Sequence, residues 1–433
     1  MATDTKQKIP AGYKQTEVGV IPEDWEIKNV IDFGSIVTGS TPSTKVKDYW
    51  NGNIPWITPT DITSKKDIYD SERKITTKGL SVIRKLPANS LLVTCIASIG
   101  KNTILRRDGA SNQQINAIIP NGNYNVNYLY YNFEKAKNYL IGHAGITATN
   151  IVSKQTFALI KFAVPSLQEQ TAIADALSDA DALIEKLEKL IEKKKQIKQG
   201  AMQELLGIDN GQLKMDNGLA PKRRLPGFSG EWERKRLGEL GKTYGGLTGK
   251  TKIDFGCGDG LYIPFMNIMS NPVIDQSFVE SVIIRPGENQ NKAQKGDLFF
   301  NGSSETPEEV GMCSVLLDDI PNLYLNSFCF GFRFNNDVNA SGLYFAYYFR
   351  STAGRQLIFS LAQGATRYNL SKTNFLNLVV LFPDNKEQEA MAGFFYDIDE
   401  EIKKLNAKLA KCQKLKIGMM QQLLTGKIRL IDN

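Results

Sequence analysis

SLQEQTAIADALSDADALIEKLEKLIEKKKQIKQGAMQELL, residues 166–206, decides the architecture of this chain. From Ile173 its apolar residues recur as Leu177, Ala180, Ile184, Leu187 and Ile191. Alternating steps of four and three make an a/d heptad seam, which calls for a long helix packed along one stripe on another helix. At 1.5 Å per residue, about 40 residues span roughly 60 Å. Polar Lys194 and Lys198 interrupt the seam before Ala201 and Leu205 restore it. No acid is evident opposite those lysines, so this is where the helix is expected to splay from its partner or meet another subunit.

The partner lies in the same chain. At an offset of 218 residues the stretch recurs as DNKEQEAMAGFFYDIDEEIKKLNAKLAKCQKLKIGMMQQLL, residues 384–424. Its seam is Met391, Phe395, Ile398, Ile402, Leu405, Leu409, Cys412, Lys416, Met419 and Leu423. Shared positions include Phe157/Phe375, Pro165/Pro383, Glu169-Gln170/Glu387-Gln388, Ile184/Ile402, Leu187/Leu405, Met202-Gln203/Met420-Gln421 and Leu205-Leu206/Leu423-Leu424. A period this long is a duplicated domain-plus-helix unit rather than a solenoid.

The globular stretches follow the same duplication. Glu231-Trp232-Glu233 matches Asp24-Trp25-Glu26, Gly241 matches Gly34, and Gly246 matches Gly39. Ile263-Pro264-Phe265 matches Ile54-Pro55-Trp56, and Gly296-Asp297-Leu298-Phe299 matches Asn89-Ser90-Leu91-Leu92. Gly364-Ala365-Thr366 matches Gly145-Ile146-Thr147. Between these anchors, 57–85 and 266–295 share almost nothing, as expected of one fold carrying different reading loops. Residues 1–18 read as loose, 19–150 as a strand-rich domain with turns at Gly39–Ser43 and Asn51-Gly52, and Asn127–Leu140 as helical in spacing. The expected organisation is a first globular domain over 1–155, a long helix over 156–206, a Gly/Asn/Pro-rich linker over 207–227, a second domain over 228–374, a second long helix over 375–426 and a tail over 427–433. The fold class is α+β, with two tandem domains separated by two long helices that form an intramolecular antiparallel coiled coil, a pseudo-two-fold internal repeat.

Composition narrows the function. The chain of 433 residues is 42% hydrophobic and 23% charged, as in ordinary globular protein. Its net charge of +7 favours a polyanionic partner. No apolar run reaches membrane-span length, and no signal peptide is evident at the N-terminus. The scattered Cys95, Cys257, Cys313, Cys329 and Cys412 point to a reducing cytoplasm and away from a zinc site. One histidine, His143, supports neither a His-based triad nor a multi-His metal site. Tyr244–Thr251 (YGGLTGKT) approaches a phosphate loop, but tyrosine stands where the first glycine is required. Glu401 and Lys403 fall on the second heptad stretch and read as its solvated face. No Asn/Asp-Pro-Pro-aromatic run of an adenine methyltransferase is present. The chain therefore reads as a recognition or scaffolding protein, with no catalytic, cofactor-binding or metal site.

Residues suited to duplex DNA sit in the variable loops. The first domain carries Lys45, Lys47, Tyr49, Lys65, Lys66, Arg73, Lys74, Lys101, Arg106, Arg107 and Gln113, near Tyr69, Asn112 and Gln114. The second carries Lys250, Lys252, Arg285, Lys292, Lys295 and Arg367, near Asn267, Asn289, Gln290 and Tyr368. Lys and Arg attract phosphate, while Arg, Asn and Gln can read base edges bidentately. Lys222-Arg223-Arg224 in the linker is a further phosphate candidate. The helix-pair seam is expected from Ile173, Leu177, Ile184, Leu187 and Ile191 against Phe395, Ile398, Ile402, Leu405 and Leu409.

These features together resemble the specificity (S) subunit of type I restriction–modification systems. The resemblance is carried by Gly39-Ser40-Thr41-Pro42-Ser43, Tyr49–Ile57 (YWNGNIPWI) with Asp61-Ile62, Ser98-Ile99-Gly100-Lys101 and Asn112-Gln113-Gln114-Ile115. Pro165–Gln170 (PSLQEQ), Pro383 with Glu387-Gln388, and Leu423–Gly426 (LLTG) complete it. The second domain departs from the pattern: Leu247-Thr248-Gly249 replaces the Thr-Pro-Ser turn, and Asn326-Ser327-Phe328 replaces Asn112-Gln113-Gln114. The resemblance implies two target recognition domains, each reading one half of an asymmetric bipartite DNA site, with the helix pair setting the spacer. It implies a non-catalytic cytoplasmic subunit that holds no cofactor of its own. Its partners would be double-stranded DNA, two modification (methyltransferase) subunits that carry S-adenosylmethionine and methylate adenine, and two restriction subunits that use ATP and Mg²⁺. The rival readings are a coiled-coil scaffold with two protein-binding heads, and the recognition part of a single-chain restriction–methylation enzyme. A linear fall of log K with log salt on duplex DNA separates the first rival from a DNA reader.

Overall fold

The computed structural model describes residues 9–144, 150–207, 221, 223–364 and 367–431. Lys222, Gly145-Ile146-Thr147 and Ala365-Thr366 lie outside the described residues. Two compact units divide the chain: Met1–Glu188 with Ala407–Asn433, and Lys189–Asn406. Both boundaries fall inside the long helices, Leu167–Leu205 and Asn385–Leu423, so each unit holds one end of each helix.

The first unit is built on a five-stranded sheet ordered Gly34–Thr38, Ile115–Pro120, Ser90–Thr94, Asn102–Leu105, Asp67–Ile68. All its neighbours are antiparallel except the last pair. Beside it, Trp50–Ile57 pairs with Ala110–Ser111 and Lys74–Ile75. The helix Val126–Lys135 packs its buried Tyr128, Leu129, Tyr131 and Phe133 into one core with Ile173 and Leu177 of the first long helix and Leu423 and Leu424 of the second.

The second unit repeats the plan. Its four-stranded sheet runs Gly241–Gly245, Cys329–Phe334, Leu298–Asn301, Cys313–Val315. Phe255–Ile263 pairs with Glu280–Val282 and Leu323–Leu325, as Trp50–Ile57 does with its neighbours in the first unit. The helix Gly342–Arg350 brings Tyr344, Phe345, Tyr347, Tyr348 and Phe349 into a core shared with Leu205, Leu206, Met391 and Phe395. The α+β tandem repeat expected from the sequence is thus present.

Several local expectations change. The long helices begin at Leu167 and Asn385, later than 156 and 375. Lys161–Val164 is first taken up as a strand against Glu26–Asn29, and Val379–Phe382 as a strand against Glu233–Arg236. Pro165 and Pro383 then separate strand from helix, since proline disfavours a helical residue before it. Within residues 1–18, Tyr13–Thr16 is not loose: it forms a hairpin with Gly19–Pro22, and the Tyr13 hydroxyl donates to Gly426 O at 2.8 Å. The helical stretch over 127–140 is two helices, Val126–Lys135 and Lys137–Gly142, broken at Ala136.

The helix ends pair antiparallel inside each unit. In the second, Lys194 Nζ meets Glu401 Oε2 at 2.7 Å and Lys198 Nζ lies 2.6 Å from both Asp399 carboxylate oxygens. As one helix advances, the other retreats. The expectation that these lysines face no acid is therefore wrong: antiparallel register supplies one acid to each. In the first unit Lys416 pairs with Asp181 at 2.5 Å, the counterpart of Lys198 with Asp399 at the same offset as the repeat. Of the seam residues, Ile173, Leu177, Leu187, Ile191, Phe395 and Ile398 are buried, while Ile184, Ile402, Leu405 and Leu409 are half-buried.

The first unit also tethers a lysine, exposed along its stem, by its ammonium. Lys135 Nζ donates to Leu424 O at 3.0 Å, capping the end of the second long helix, and burial pulls its pKa down to about 8. An unfolded lysine titrates near 10.4, so between those values the unfolded state binds more protons and folding strengthens as pH rises. Denaturant midpoints measured from pH 8 to 9.5 are expected to rise with pH, by well under the full one-proton slope because the lysine stem is exposed to solvent. Lys135→Met should remove the rise; an identical slope in that variant contradicts the assignment.

Candidate nucleic-acid interface

In the first unit the interface grows from a turn that requires glycine. Gly39 N–H donates to Ile115 O and Ser40 N–H to Ser111 O, so the turn lies flat on the next strand. A Cβ on Gly39 would come within 2.1 Å of Asn112 O, which is the physical reason for glycine here. Two indoles fasten the rest: Trp56 Nε1 donates to Ser40 O at 2.9 Å and Trp50 Nε1 to Ser43 O at 3.2 Å. The two rings meet edge-on at 5.0 Å, and the Arg73 guanidinium lies 3.9 Å over Trp50. Stacked there, Arg73 keeps its donors for an anion or a base edge.

Asn112 is buried and shapes the neighbouring turn, accepting from Gln114 N–H and donating to the Gln114 amide oxygen. Gln113 projects outward from it and meets Thr41 at 2.7 Å. Exposed Lys45 and Lys47 follow on the same loop, Tyr49 is half-buried, and Arg107 is held by Asn53 O at 3.1 Å. Arg84, which the sequence reading missed, joins this group through Thr38 O at 2.7 Å. No sequence pattern marks it; only the tertiary fold brings residue 84 beside residues 38 and 40. Arg73 thus stacks on Trp50, Lys45, Lys47 and Tyr49 lie on the loop that leads to it, and Gln113 and Arg107 are held at Thr41 and Asn53.

Other candidates are engaged elsewhere. Arg106 is consumed by Asp67 at 2.5 Å, Asn89 at 2.7 Å and Asn127 at 2.6 Å. Lys66 donates to Ser178 on the long helix at 2.8 Å, and burial lowers its pKa. Lys74 pairs with Asp70 at 2.7 Å. Lys65 and Lys101 are exposed near the far edge of the five-stranded sheet, beside Asp67–Ile68 and Asn102–Leu105.

The second unit keeps the close turn and changes what stands on it. Gly246 also admits no side chain, its Cβ position falling 2.0 Å from Asn326 O. Without the tryptophan pair, the loop is held by Gln290, which accepts from Thr248 N–H at 3.1 Å and donates to Thr248 O at 2.9 Å. Lys250, of the near-phosphate loop, is not at the surface: its side chain is 2% exposed and its ammonium meets Glu288 and Ile283 O. Arg285 pairs with Asp254 at 2.5 Å and Glu288 at 3.5 Å. Asn267 is buried and bonds Asp275 O and Phe278 O, a structural role. Lys292 reaches Asn322 at 3.0 Å, and Lys252 and Lys295 are exposed. Arg367 lies 5.7 Å over the exposed ring of Phe328.

Arg224 in the linker does not wait for phosphate. It forks onto the buried Glu387, with Nε at 2.8 Å from Oε1, and Trp232 Nε1 donates to the same carboxylate at 2.9 Å. Arg223 pairs with Glu204 at 3.1 Å. Among the described residues no cluster of three or more His, Cys, Asp or Glu could hold a metal, and no helix is long and apolar enough to cross a membrane.

Two similar scaffolds with different loops on an antiparallel helix pair are thus in place. A family model described as the type I restriction modification DNA specificity domain matches residues 22–199 and again 229–412. The chain belongs to that family. It is a specificity subunit, a non-catalytic component whose role is DNA sequence recognition. The MjaIX specificity subunit of Methanocaldococcus jannaschii is 27% identical over 435 residues, covering 96% of each chain. The HindI specificity subunit of Haemophilus influenzae is 32% identical over 151 residues, 34% of this chain and 33% of that one. In structure, the type I restriction–modification S subunit from M. genitalium matches with a TM-score of 0.56 at 12% identity, over 96% of this chain and 98% of the other. A chain from a type I R-M system solved for its complex assembly and conformational transition matches at 0.55 and 12%, over 94% and 99%.

Proposed function

We propose that each globular head of this specificity subunit reads one half of an asymmetric bipartite DNA site, while the paired helices set the unread spacer. The observation that carries this reading is one scaffold used twice with unlike reading loops. The Gly39 turn stands beside Trp50, Arg73 and Gln113, and the Gly246 turn beside Phe328 and Arg367. Unlike heads call for unlike half-sites. The helix pair also docks two modification subunits, which carry S-adenosylmethionine and methylate adenine. Leu190 and Ile197, seven apart and exposed off the seam, supply apolar surface for that contact. Two restriction subunits using ATP and Mg²⁺ complete the assembly, which works in the cytoplasm. In support, the related structure at a TM-score of 0.55 comes from a type I R-M assembly.

Deleting one heptad from both helices removes about 10 Å, or roughly three base pairs of rise. Sequencing of methylated adenines in cells expressing that variant with its modification subunit should show both half-sites unchanged and a shorter spacer. An unchanged spacer overturns the ruler.

A further inference from the structure

We propose that Phe328 is the apolar reading element of the second head, its ring edge taking the 5-methyl group of a thymine in the major groove, with Arg367 on its face holding a neighbouring phosphate. The proposal rests on the reading of that head as a DNA half-site reader. Phe328 is 59% exposed, so its ring is open to a partner. It is rigidly presented. Its N–H donates to Asn326 Oδ1 at 2.9 Å, its carbonyl accepts from Gly302 N–H at 2.8 Å, and Cys329 N–H bonds Asn326 O at 3.1 Å.

Its place in the scaffold is that of half-buried Gln114, next to the outward-facing Gln113 of the first head. Asn326 N–H bonds Ile263 O at 3.2 Å just as Asn112 N–H bonds Ile57 O at 2.9 Å, so the turns 326–328 and 112–114 are the same turn. One presents the amide of Gln113, with Gln114 half-buried and bonded to Asn112; the other presents Ser327 and Phe328, both exposed. Amides read donor and acceptor patterns, whereas a phenyl ring can distinguish a base pair only by apolar contact, and the thymine methyl is the apolar group of the major groove.

The neighbouring arginine selects the mode of contact. The Arg367 guanidinium lies 5.7 Å from the ring centroid, and Arg367 has no carboxylate partner among the described residues. With one face covered by a cation, the ring cannot slide between two base pairs as a wedge, which needs both faces. Its edge remains open. The stacked guanidinium keeps its peripheral N–H donors for a phosphate oxygen.

The test uses the full-length chain assembled with its modification subunit, and duplexes carrying its target with each thymine of the second half-site replaced singly by uracil. The wild-type complex is expected to lose roughly fivefold to tenfold in affinity at one uracil position, the scale of one lost base contact. The Phe328→Ala complex should be weaker on the thymine duplex and indifferent to that uracil, with first-half-site preferences unchanged. The proposal is overturned by a second half-site without thymine, by a wild-type complex insensitive to every uracil, by a Phe328→Ala complex that stays sensitive, or by failure of Phe328→Ala to assemble with the modification subunit. A wild-type complex that prefers no bipartite sequence would instead sink the half-site reading itself.

Discussion

Glu387→Ala is expected to lower the unfolding transition of the second unit by about 10 °C, the effect of losing roughly 3–5 kcal/mol in a domain of this size. Glu387 is 1% exposed and holds three donors: the Arg224 fork and the Trp232 indole. Removing it leaves an arginine with most of its surface covered and an indole N–H without an acceptor. Breaking a buried pair from one side costs far more than the pair contributes, because the stranded charge keeps its desolvation penalty. Glu387→Gln, which keeps an acceptor for the indole, should fall between. The first unit carries the same knot. Glu169 accepts from Trp25 Nε1 at 3.1 Å and from Arg429 at 2.6 and 2.8 Å, and Arg429 also grips Asp24 at 2.9 and 2.7 Å. The hydrogen bond from Arg429 holds the Asp24 carboxyl below its usual range, and the Glu169 and Asp24 contacts raise the arginine's own pKa. The Asp24 contribution is therefore present above the ordinary carboxylate range and lost as pH falls through its lowered pKa. Calorimetry of Glu387→Ala and Glu169→Ala settles the matter, and transitions within a degree or two of wild type would refute it.

The Glu387 knot also explains the doubled Glu-Gln motif. Gln388 donates to Pro383 O at 2.8 Å and accepts from Ser341 N–H at 2.9 Å; Gln170 bonds Pro165 O at 3.1 Å and Asn125 N–H at 3.0 Å. Each pair therefore fixes how its long helix leaves its domain. In the second unit the arginine comes from the segment after the first long helix, and in the first unit from the segment after the second.

The second large effect is expected in the seam. Asp399→Leu removes the carboxylate that accepts from both Lys198 and the Tyr347 hydroxyl, the latter at 2.8 Å. Lys198 lies 5.1 Å over the same tyrosine ring, and burial with Asp399 pushes the Tyr347 hydroxyl pKa well up, keeping it a proton donor. A loss of about 2–3 kcal/mol is expected, since a lysine and a hydroxyl lose their acceptor together. The triple variant Lys198→Met, Asp399→Leu, Tyr347→Phe should recover most of it, because an apolar replacement of similar volume leaves nothing stranded. What the triple variant should lose is register, the property a polar residue in a heptad seam supplies. Asp181 repeats the arrangement, with Lys416 at 2.5 Å and Tyr131 at 2.7 Å. Denaturant unfolding of single, double and triple variants measures the coupling. A coupling energy between positions 198 and 399 below about 0.5 kcal/mol would dispose of it.

Much of this molecule was legible in its residues. A heptad stripe from Ile173 needs only local periodicity to be seen, and its repeat at 384–424 identifies an intramolecular partner. The Gly39 turn and the PSLQEQ stretch carry the family. These signals survive because helix period, glycine geometry and duplication are properties of the chain itself. Tertiary structure decided which polar groups are spoken for. Arg106, Lys250 and Arg224 look, in sequence, like any other basic residue of a variable loop or linker. Each is taken by a carboxylate or amide brought to it by strand pairing or by the return of a distant segment. Lys194 and Lys198 went the other way, since their acids lie about 200 residues away and meet them only in antiparallel register. Charge pairing depends on distance in space, to which sequence separation is nearly blind; the burial of Lys250 and the exposure of Phe328 follow from packing for the same reason.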